Sequence, residues 1–369
     1  MPEVDGKPKD RSKRILTGAQ AIVEATEQAM ERHPEVFLLG EGAQDPKGIF
    51  GTTTGLLERF GPQRVMEMPL AENAFTGMAI GAALMGQRPL VVHQRVEFSL
   101  LAMEQLLNNA AKMHYVSGGK HRVPLVIRVV VGRGWGQGPA HSQSLESLFS
   151  AVPGLKVVLP SNAADLKGLL LGAIEDDNPV VFIEHRWTHY ATGHVPPGYA
   201  PLPLDGPRRL REGGDVTVVA SSYMTLEALQ AANALANQGI GVDLFDLRVA
   251  RPLQLAEILA SVARTGRLLT VDLGSSSFGL GAEIVARAAS ETFDSLKAAP
   301  RRLGLPDHPT PSSRALAEVF YIRSPQIGAA ICDLVGAKPE LRGQLEEELQ
   351  AGRDDLPLDI PHPSFKGPF

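Results

Sequence analysis

Short apolar runs alternate with helical stretches along the whole chain, and this alternation constrains the fold more than any other feature of the sequence. Buried strands are predicted at residues 36–39, 65–68, 89–93, 125–131, 156–159, 180–183, 216–220, 242–247 and 268–271. Helices are predicted after an N-cap at Thr17 as far as residue 32, at residues 99–115, 163–175, 225–237 and 254–264, and after Gly281. Strands that alternate with helices form parallel sheets with crossover connections, so the sequence predicts an α/β protein.

Proline and glycine crowd residues 191–214, a stretch that can hold neither a helix nor a central strand. We therefore place a domain boundary there. The predicted organisation is an N-terminal arm at 1–14, a first α/β domain at 15–190, a linker at 191–214, a second α/β domain at 215–337, and a C-terminal helix with a proline-rich arm at 338–369.

Composition excludes several classes of protein. The 369 residues carry 36 Lys plus Arg against 41 Asp plus Glu, a formal charge of -5, which gives no support for a protein that coats nucleic acid or a membrane surface. The only cysteine is Cys332, so an intrachain disulfide and a cysteine-based metal site within one chain are excluded. No apolar run approaches the roughly 18 to 20 residues that span a bilayer, and residues 1–14 lack the apolar segment of a secretory signal. We therefore expect a cytoplasmic enzyme.

No general catalytic motif stands out. The sequence has no Gly-x-Gly-x-x-Gly after its first strand, no Walker-type loop, no His-Glu-x-x-His and no Gly-x-Ser-x-Gly. What remains is a set of side chains that follow predicted strands, where open α/β sheets bind their ligands. These candidates are Glu72, His141 and Phe98.

Each candidate has an ordinary structural explanation beside the functional one. Glu72, in residues 69–77 (PLAENAFTG), is either a first-turn carboxylate that favours the helix dipole or a carboxylate held for a ligand. His141, in the glycine-rich loop 136–143 (GQGPAHSQ), is either a solvated side chain or a group that transfers protons. Phe98 either packs in the core or stacks on a flat ligand. Spacing alone leaves these alternatives open.

Together these segments resemble the β subunits of the E1 component of 2-oxo acid dehydrogenase complexes, thiamine-diphosphate enzymes that act on pyruvate, branched-chain 2-oxo acids or acetoin. The resemblance covers about residues 15 to 335. The segments that carry it are LLGE (38–41), PLAENAFTG (69–77), NAAK (109–112), SGG (117–119), AHSQ (140–143), PGLKVV (153–158), NPVV (178–181), DLR (246–248), RPL (251–253) and FGLGAE (278–283). The resemblance implies a pyrimidine-binding domain with a parallel sheet, followed by a transketolase C-terminal-like α/β domain.

The resemblance also assigns roles to the three candidates. Glu72 is similar to the glutamate that hydrogen-bonds N1′ of the cofactor's aminopyrimidine. A proton shared with N1′ favours the imino tautomer, whose nitrogen removes the proton from thiazolium C2. Phe98 matches the ring that stacks on the aminopyrimidine. His141 matches the histidine that stabilises intermediates or passes protons during reductive acylation.

A structural potassium ion is implied by the same resemblance. In relatives it is held by oxygens at positions that match Leu125, Ala173, Asp176 and Asn178, and hard oxygen ligands suit such a cation. The alternative is a capped helix end and a turn before Pro179.

Half of the cofactor site is missing from this sequence. Members of the family bind the diphosphate through Mg²⁺ at a Gly-Asp-Gly motif followed by an Asn, and that motif lies in the α chain. The only Gly-Asp here, at Gly214 and Asp215, leads straight into a predicted strand. The resemblance therefore implies an obligate α partner in a heterotetramer of two α and two β chains. Whether a lipoyl acyltransferase is a further partner depends on whether lipoamide is the acceptor, which the sequence leaves open.

Two segments depart from the family pattern and leave the substrate open. Arg95 and Val96 stand where relatives carry mainly apolar or small residues, and residues 184–187 (EHRW) also differ. Arg95 and Gln94 are therefore candidates for the substrate pocket. Arg95 either binds an anionic donor or acceptor, such as a sugar phosphate, or points outward to Glu97 or a partner chain.

The predicted function is decarboxylation of a 2-oxo acid and transfer of the acyl group to lipoamide. Because of the two departures, a split transketolase-like enzyme that transfers a two-carbon unit to an aldehyde stays open. A noncatalytic scaffold subunit is the alternative from a different class.

Overall fold

The computed structural model describes residues 14–132 and 137–351, which form two main sheets covered by helices. Residues 1–13 of the predicted N-terminal arm and residues 352–369 of the predicted C-terminal segment lie outside the described residues, as do residues 133–136. The strands are β1 (Ile15–Thr17), β2 (Val36–Gly40), β3 (Val65–Glu67), β4 (Arg88–His93), β5 (Val126–Val131), β6 (Lys156–Val158), β7 (Val180–His185), β8 (Thr192–His194), β9 (Arg208–Arg211), β10 (Val216–Ala220), β11 (Val242–Asp246), β12 (Val249–Arg251), β13 (Leu268–Ser275) and β14 (Arg301–Leu305). The predicted α/β class is confirmed.

The first sheet has seven strands in the order β12-β6-β7-β5-β4-β2-β3. Strands β2 to β7 pair with one another in parallel, so their carboxyl ends meet at one edge of the sheet. The exception is β12, which comes from the second half of the chain and pairs antiparallel with β6. All six strands predicted for this half are present.

The second sheet has five strands in the order β14-β13-β10-β11-β9. Its strands are parallel apart from β9, which pairs antiparallel with β11. The stretch predicted as a linker thus contains two strands, β8 and β9. Strand β9 lies at the edge of the second sheet, and β8 pairs with β1 in a separate two-stranded sheet, positions that a proline- and glycine-rich flank allows.

Helices cover the sheets where the sequence predicts them. They are α1 (Gly18–Arg32), α2 (Leu56–Phe60), α3 (Glu72–Leu84), α4 (Val96–Ser99), α5 (Ala111–Val116), α6 (Glu146–Ser150), α7 (Ala163–Glu175), α8 (Tyr223–Asn237), α9 (Ala256–Thr265), α10 (Leu280–Glu291), α11 (Arg314–Phe320), α12 (Ser324–Val335) and α13 (Pro339–Gln350). Helix α1 begins with a reciprocal capping box, in which Thr17 accepts from the Gln20 backbone and Gln20 accepts from the Thr17 backbone.

The predicted helix at residues 99–115 is irregular in the structure. Between α4 and α5 the chain makes a 3₁₀ turn at Leu100–Ala102 and a π-helical stretch at Gln105–Ala110. The side chain of Asn109 donates to Glu104, five residues earlier, at 3.3 Å, a spacing that the wider π turn brings together.

The hydrophobic core is continuous across the two halves of the chain. One buried cluster runs from Leu39 in the first sheet through Trp187 and Tyr223 to Ile331 in α12, and a second fills the other face of the first sheet beneath α1 and α7. At the junction the rings of Trp187 and Tyr223 meet edge to face, with centroids 4.9 Å apart. No helix within the described part of the chain is long and apolar enough to cross a membrane.

Candidate active site

The candidate residues follow the carboxyl ends of neighbouring parallel strands. Glu72 follows β3, residues 94–98 follow β4, and His141 lies in the loop after β5. Since β3, β2, β4 and β5 are adjacent in the sheet, their following segments converge at one edge. This edge is the candidate active site.

Glu72 is the first residue of α3 and only 7% exposed. Its carboxyl group lies within hydrogen-bonding reach of the carboxyl group of Glu41, the residue after β2. Burial raises the pKa of Glu41, and the negative charges of Glu72 and Glu67 and the hydrogen bond with Glu72 raise it further. The neighbouring negative charges therefore favour the protonated form of Glu41 more than they would for a free carboxyl group.

Glu41 was missed by the sequence analysis, although it is the first polar residue after a buried strand. Its backbone is fixed by Gln94, whose Nε2 donates to the Glu41 carbonyl at 2.6 Å. Gly42, with φ of +73°, leaves room for that amide, because a Cβ at this position would collide with it. Gln94, a predicted substrate-pocket residue, therefore binds the protein itself through this nitrogen. The Glu67 carboxylate accepts a hydrogen bond from the backbone N–H of Gly42 at 2.7 Å and stabilises the same turn.

Phe98 and His141 are brought together, as the functional interpretation of both requires. Their ring centroids are 5.6 Å apart and the ring planes meet at 88°, an edge-to-face contact. Both side chains are half-buried. His141 directly follows a 3₁₀ turn at Gly138–Ala140, and its backbone N–H donates to the Gly138 carbonyl at 3.3 Å.

The segment that carries Phe98 also holds both ends of the His141 loop. Arg95 donates to the Gly132 carbonyl at 3.2 Å and to the side chain of Gln137. Glu97 accepts from the backbone N–H of Gln143 at 2.7 Å. The sequence analysis missed this use of Glu97. Arg95 is only 3% exposed, so the predicted alternative in which it points outward is wrong.

Glu184, in the segment 184–187 that departs from the family pattern, is part of a buried ion pair. Glu184 binds Arg128 through both carboxylate oxygens and His189 at 2.8 Å, with all three side chains fully buried. Burial would raise the pKa of Glu184, but the charge of Arg128 and the bonds from both partners lower it to about 2. This carboxylate stays ionised and neutralises Arg128.

The residues of the predicted potassium site lie together at the opposite edge of the sheet. The Leu125 carbonyl accepts from Val180 at 2.9 Å, and the Ala173 carbonyl accepts from Asp176 at 3.3 Å. Asp176 accepts from the backbone and side chain of Asn178 at 2.9 and 3.0 Å. Across the described residues, no group of three or more His, Cys, Asp or Glu is arranged to hold a metal ion.

Two family models match the chain. "Transketolase, pyrimidine binding domain" matches residues 16–189, and "Transketolase, C-terminal domain" matches residues 207–327. The split gene transketolase, solved as an inactive beta4 tetramer, superposes with a TM-score of 0.68 and covers 88% of this chain and 99% of its own. At 23% identity this likeness shows the fold alone.

Curated relatives are similar over most of their length. The β subunit of acetoin:2,6-dichlorophenolindophenol oxidoreductase from Cupriavidus necator is 40% identical, covering 86% of this chain and 96% of its own. The pyruvate dehydrogenase E1 component β subunits of Rickettsia bellii and Gracilaria tenuistipitata are 39% and 40% identical, covering 80% and 85% of this chain and 91% and 98% of their own.

Proposed function

The chain belongs to the family of E1 β subunits that join a transketolase pyrimidine-binding domain to a transketolase C-terminal domain, and we propose that it is the β subunit of a 2-oxo acid dehydrogenase. The family depends on thiamine diphosphate, and its β subunits work with an α subunit. In this proposal the two chains together decarboxylate a 2-oxo acid and pass the acyl group to lipoamide.

One observation carries the proposal: the carboxyl pair Glu41 and Glu72 lies at the same sheet edge as the ring pair Phe98 and His141. The first pair suits a ring nitrogen that must gain and lose a proton. The second offers a flat surface beside a group that transfers protons near neutral pH. A noncatalytic scaffold would need none of these four side chains in this arrangement.

The residues present fit thiamine diphosphate. Oε1 of Glu41 is buried and has no hydrogen-bond partner in the described chain, so the acid pair can accept a donor from a ligand. Glu72 would hold N1′ of the aminopyrimidine, and Phe98 would stack on its ring. When bound, the cofactor supplies a carbon nucleophile and an electron sink for breaking the bond beside the keto carbon.

This chain's own residues then control protons. Glu72 would share a proton with N1′ of the bound cofactor, and the neighbouring Glu41, whose pKa is raised, would favour a proton on the carboxyl pair. His141 holds or moves a proton on the substrate side, and its contact with Phe98 limits the orientations of the imidazole. Arg95 and Glu97 fix the loop on which His141 lies.

The remaining parts of the proposal concern partners and ions. The α subunit would supply the Gly-Asp-Gly segment that holds Mg²⁺ and the diphosphate, in a heterotetramer of two α and two β chains, with a lipoyl acyltransferase as acceptor. A potassium ion at Leu125, Ala173, Asp176 and Asn178 would be structural, because these residues lie away from the candidate active site. Cytoplasmic location stays a prediction.

We also propose the predicted division into a pyrimidine-binding domain at 15–190, a linker at 191–214 and a C-terminal domain at 215–337, with two refinements. Strand β9 belongs with the second sheet, and β12 completes the first. The two domains would then be interlocked rather than separable.

The experiment is reconstitution of the full chain with its α partner, thiamine diphosphate and Mg²⁺. We expect decarboxylation of a 2-oxo acid that requires both chains and ends in acyl transfer to lipoamide. Two-carbon transfer from a ketose to an aldehyde, without lipoamide, would instead support the transketolase-like alternative. No turnover of either kind would contradict an enzymatic role.

A further inference from the structure

A second cavity, separate from the candidate active site, lies between the two halves of the chain. Its volume is about 580 Å³, a size typical of sites for small molecules. The lining comes from the N-terminal half of α7, the segment after β8, strand β9 and the N-terminal half of α8. Neither the carboxyl pair nor the ring pair of the candidate active site takes part in this lining.

Much of the cavity lining is aliphatic. It includes four half-buried leucines, Leu202, Leu210, Leu226 and Leu229. Leu202 packs against the core cluster beneath α1 and α7, and the other three pack against the cluster that continues into the second sheet. The cavity therefore lies where the two clusters approach each other. A ligand with an aliphatic group would bury leucine surface that the protein leaves partly open to water.

A carboxylate and two guanidinium groups lie close together at this cavity without binding one another directly. Asp165, in the first turn of α7, is 1% exposed, and its Oδ1 accepts no hydrogen bond within the described chain. The Asp165 oxygens are 3.8 Å from Nη1 of Arg208 and 3.9 Å from Nε of Arg248, beyond hydrogen-bonding distance. Buried carboxylates normally complete their hydrogen bonds, so these gaps indicate a missing polar group.

The other charged side chains of the lining are already engaged or face solvent. Lys167 donates to Glu24 at 2.6 Å and to two backbone carbonyls at 3.0 and 2.6 Å. His194 is exposed. The side chain of Arg208 is 52% exposed, so its guanidinium group can turn towards a ligand in the cavity. Asp165 and Arg208 are therefore the negative and the positive group that the lining offers to a ligand.

We propose that this cavity binds a free α-amino acid with an aliphatic side chain. The ammonium group would donate to Asp165, the carboxylate would accept from the guanidinium fork of Arg208, and the side chain would pack on the leucines. A zwitterion supplies both charges at once, whereas water would fill the polar gaps but leave the leucines wet. The site goes beyond the proposed function, since it involves neither thiamine diphosphate nor a 2-oxo acid.

The first test is calorimetric titration of the full-length wild-type chain with L-leucine and with analogues that each lack one feature. The analogue 4-methylpentanoate lacks the ammonium group, 3-methylbutylamine lacks the carboxylate, and L-alanine lacks the isopropyl group. We expect saturable binding of a single leucine per chain. Each analogue should bind at least about tenfold more weakly, because each loses a charge-assisted hydrogen bond or the burial of apolar carbons.

The second test repeats the titrations with variants. Arg208→Met should weaken leucine binding by about ten- to a hundredfold and should not weaken binding of 3-methylbutylamine, which has no carboxylate. Arg301→Met is the matched control. Arg208 and Arg301 each begin a strand at an edge of the second sheet, at opposite edges, and their side chains are 52% and 46% exposed. The control should bind leucine as the wild type does.

Three results would overturn the inference. Absence of saturable leucine binding to the wild type up to about 10 mM would mean that the cavity holds water only. Leucine binding no tighter than that of 4-methylpentanoate or 3-methylbutylamine would contradict the zwitterion. Unchanged leucine affinity in folded Arg208→Met would place the binding elsewhere. If Arg208→Met does not fold, the wild-type titrations decide alone. All of these outcomes leave the proposed function untouched, because that function is tested by turnover of the complex.

Discussion

The rings of Phe98 and His141 meet edge to face, with centroids 5.6 Å apart. The two residues come from loops after adjacent strands, β4 and β5, and their contact is supported by the hydrogen bonds that Arg95 and Glu97 make to the His141 loop. The imidazole is therefore held in place before any ligand binds, which is the condition for an effective proton-transfer group.

Replacing His141 should slow turnover far more than it weakens cofactor binding. We expect His141→Ala to reduce steady-state turnover of the reconstituted complex by ~10² or more, the scale for a positioned acid or base. Cofactor affinity, measured by titration, should change much less, and the exposed His121→Ala should be neutral. Unchanged turnover would exclude the catalytic role, and an equal loss of cofactor affinity would make His141 a positioning residue.

Stability should depend on pH through Glu146, the first residue of α6. Burial, with a further contribution from Asp272, raises the pKa of Glu146 from 4.5 to about 7. Protonated Glu146 therefore favours the folded state below pH 4.5, and this contribution is lost as pH rises through about 7. At 1.36 kcal/mol per pKa unit the loss is on the order of 3 kcal/mol.

Denaturant unfolding of the wild type and of Glu146→Gln between pH 4.5 and 8 measures this contribution of Glu146 to the free energy of unfolding. The difference in unfolding free energy between the two proteins should grow in favour of Glu146→Gln as pH rises, because the amide never ionises. Glu58→Gln, at an exposed site on α2, is the control and should show a constant difference. A constant difference for Glu146→Gln as well would contradict the raised pKa.

Thiamine diphosphate with Mg²⁺ should stabilise the complex and leave the isolated chain's melting temperature nearly unchanged. A ligand stabilises only the state that binds it, and this chain is proposed to hold the aminopyrimidine but not the diphosphate. Calorimetry of the isolated chain and of the complex, each with and without cofactor, makes the comparison. Tight stoichiometric binding to the lone chain would reveal a diphosphate site that the sequence analysis missed.

The central strands could be predicted from sequence because they are buried on both faces and read as largely apolar runs, as in β2 and at the start of β7. The edge strands β9 and β14 could not be predicted. Strand β14 begins with two arginines and contains a glycine, and β9 carries three arginines, so neither shows an apolar run. Their pairing depends on neighbours distant in sequence, which no local pattern encodes.

Local sequence patterns predict only part of the candidate active site as well. Glu72, Phe98 and His141 could be selected because each follows a predicted strand, and Glu41 would have been found by applying that rule to β2. The hydrogen bond from the Gln143 backbone to Glu97 could not be predicted, since it depends on the strand order that places β4 beside β5. The inward direction of Arg95 depends on the fold of the His141 loop, which local sequence does not encode.

Turnover of Glu72→Gln in the reconstituted complex tests the central claim most directly. The amide keeps the shape of the side chain but cannot share a proton with N1′, so we expect turnover to be abolished while folding and assembly are retained, with exposed Glu58→Gln as control. Retention of more than about a tenth of the wild-type rate, a loss under ~1.4 kcal/mol, would contradict the assignment of Glu72 as the proton-sharing carboxylate.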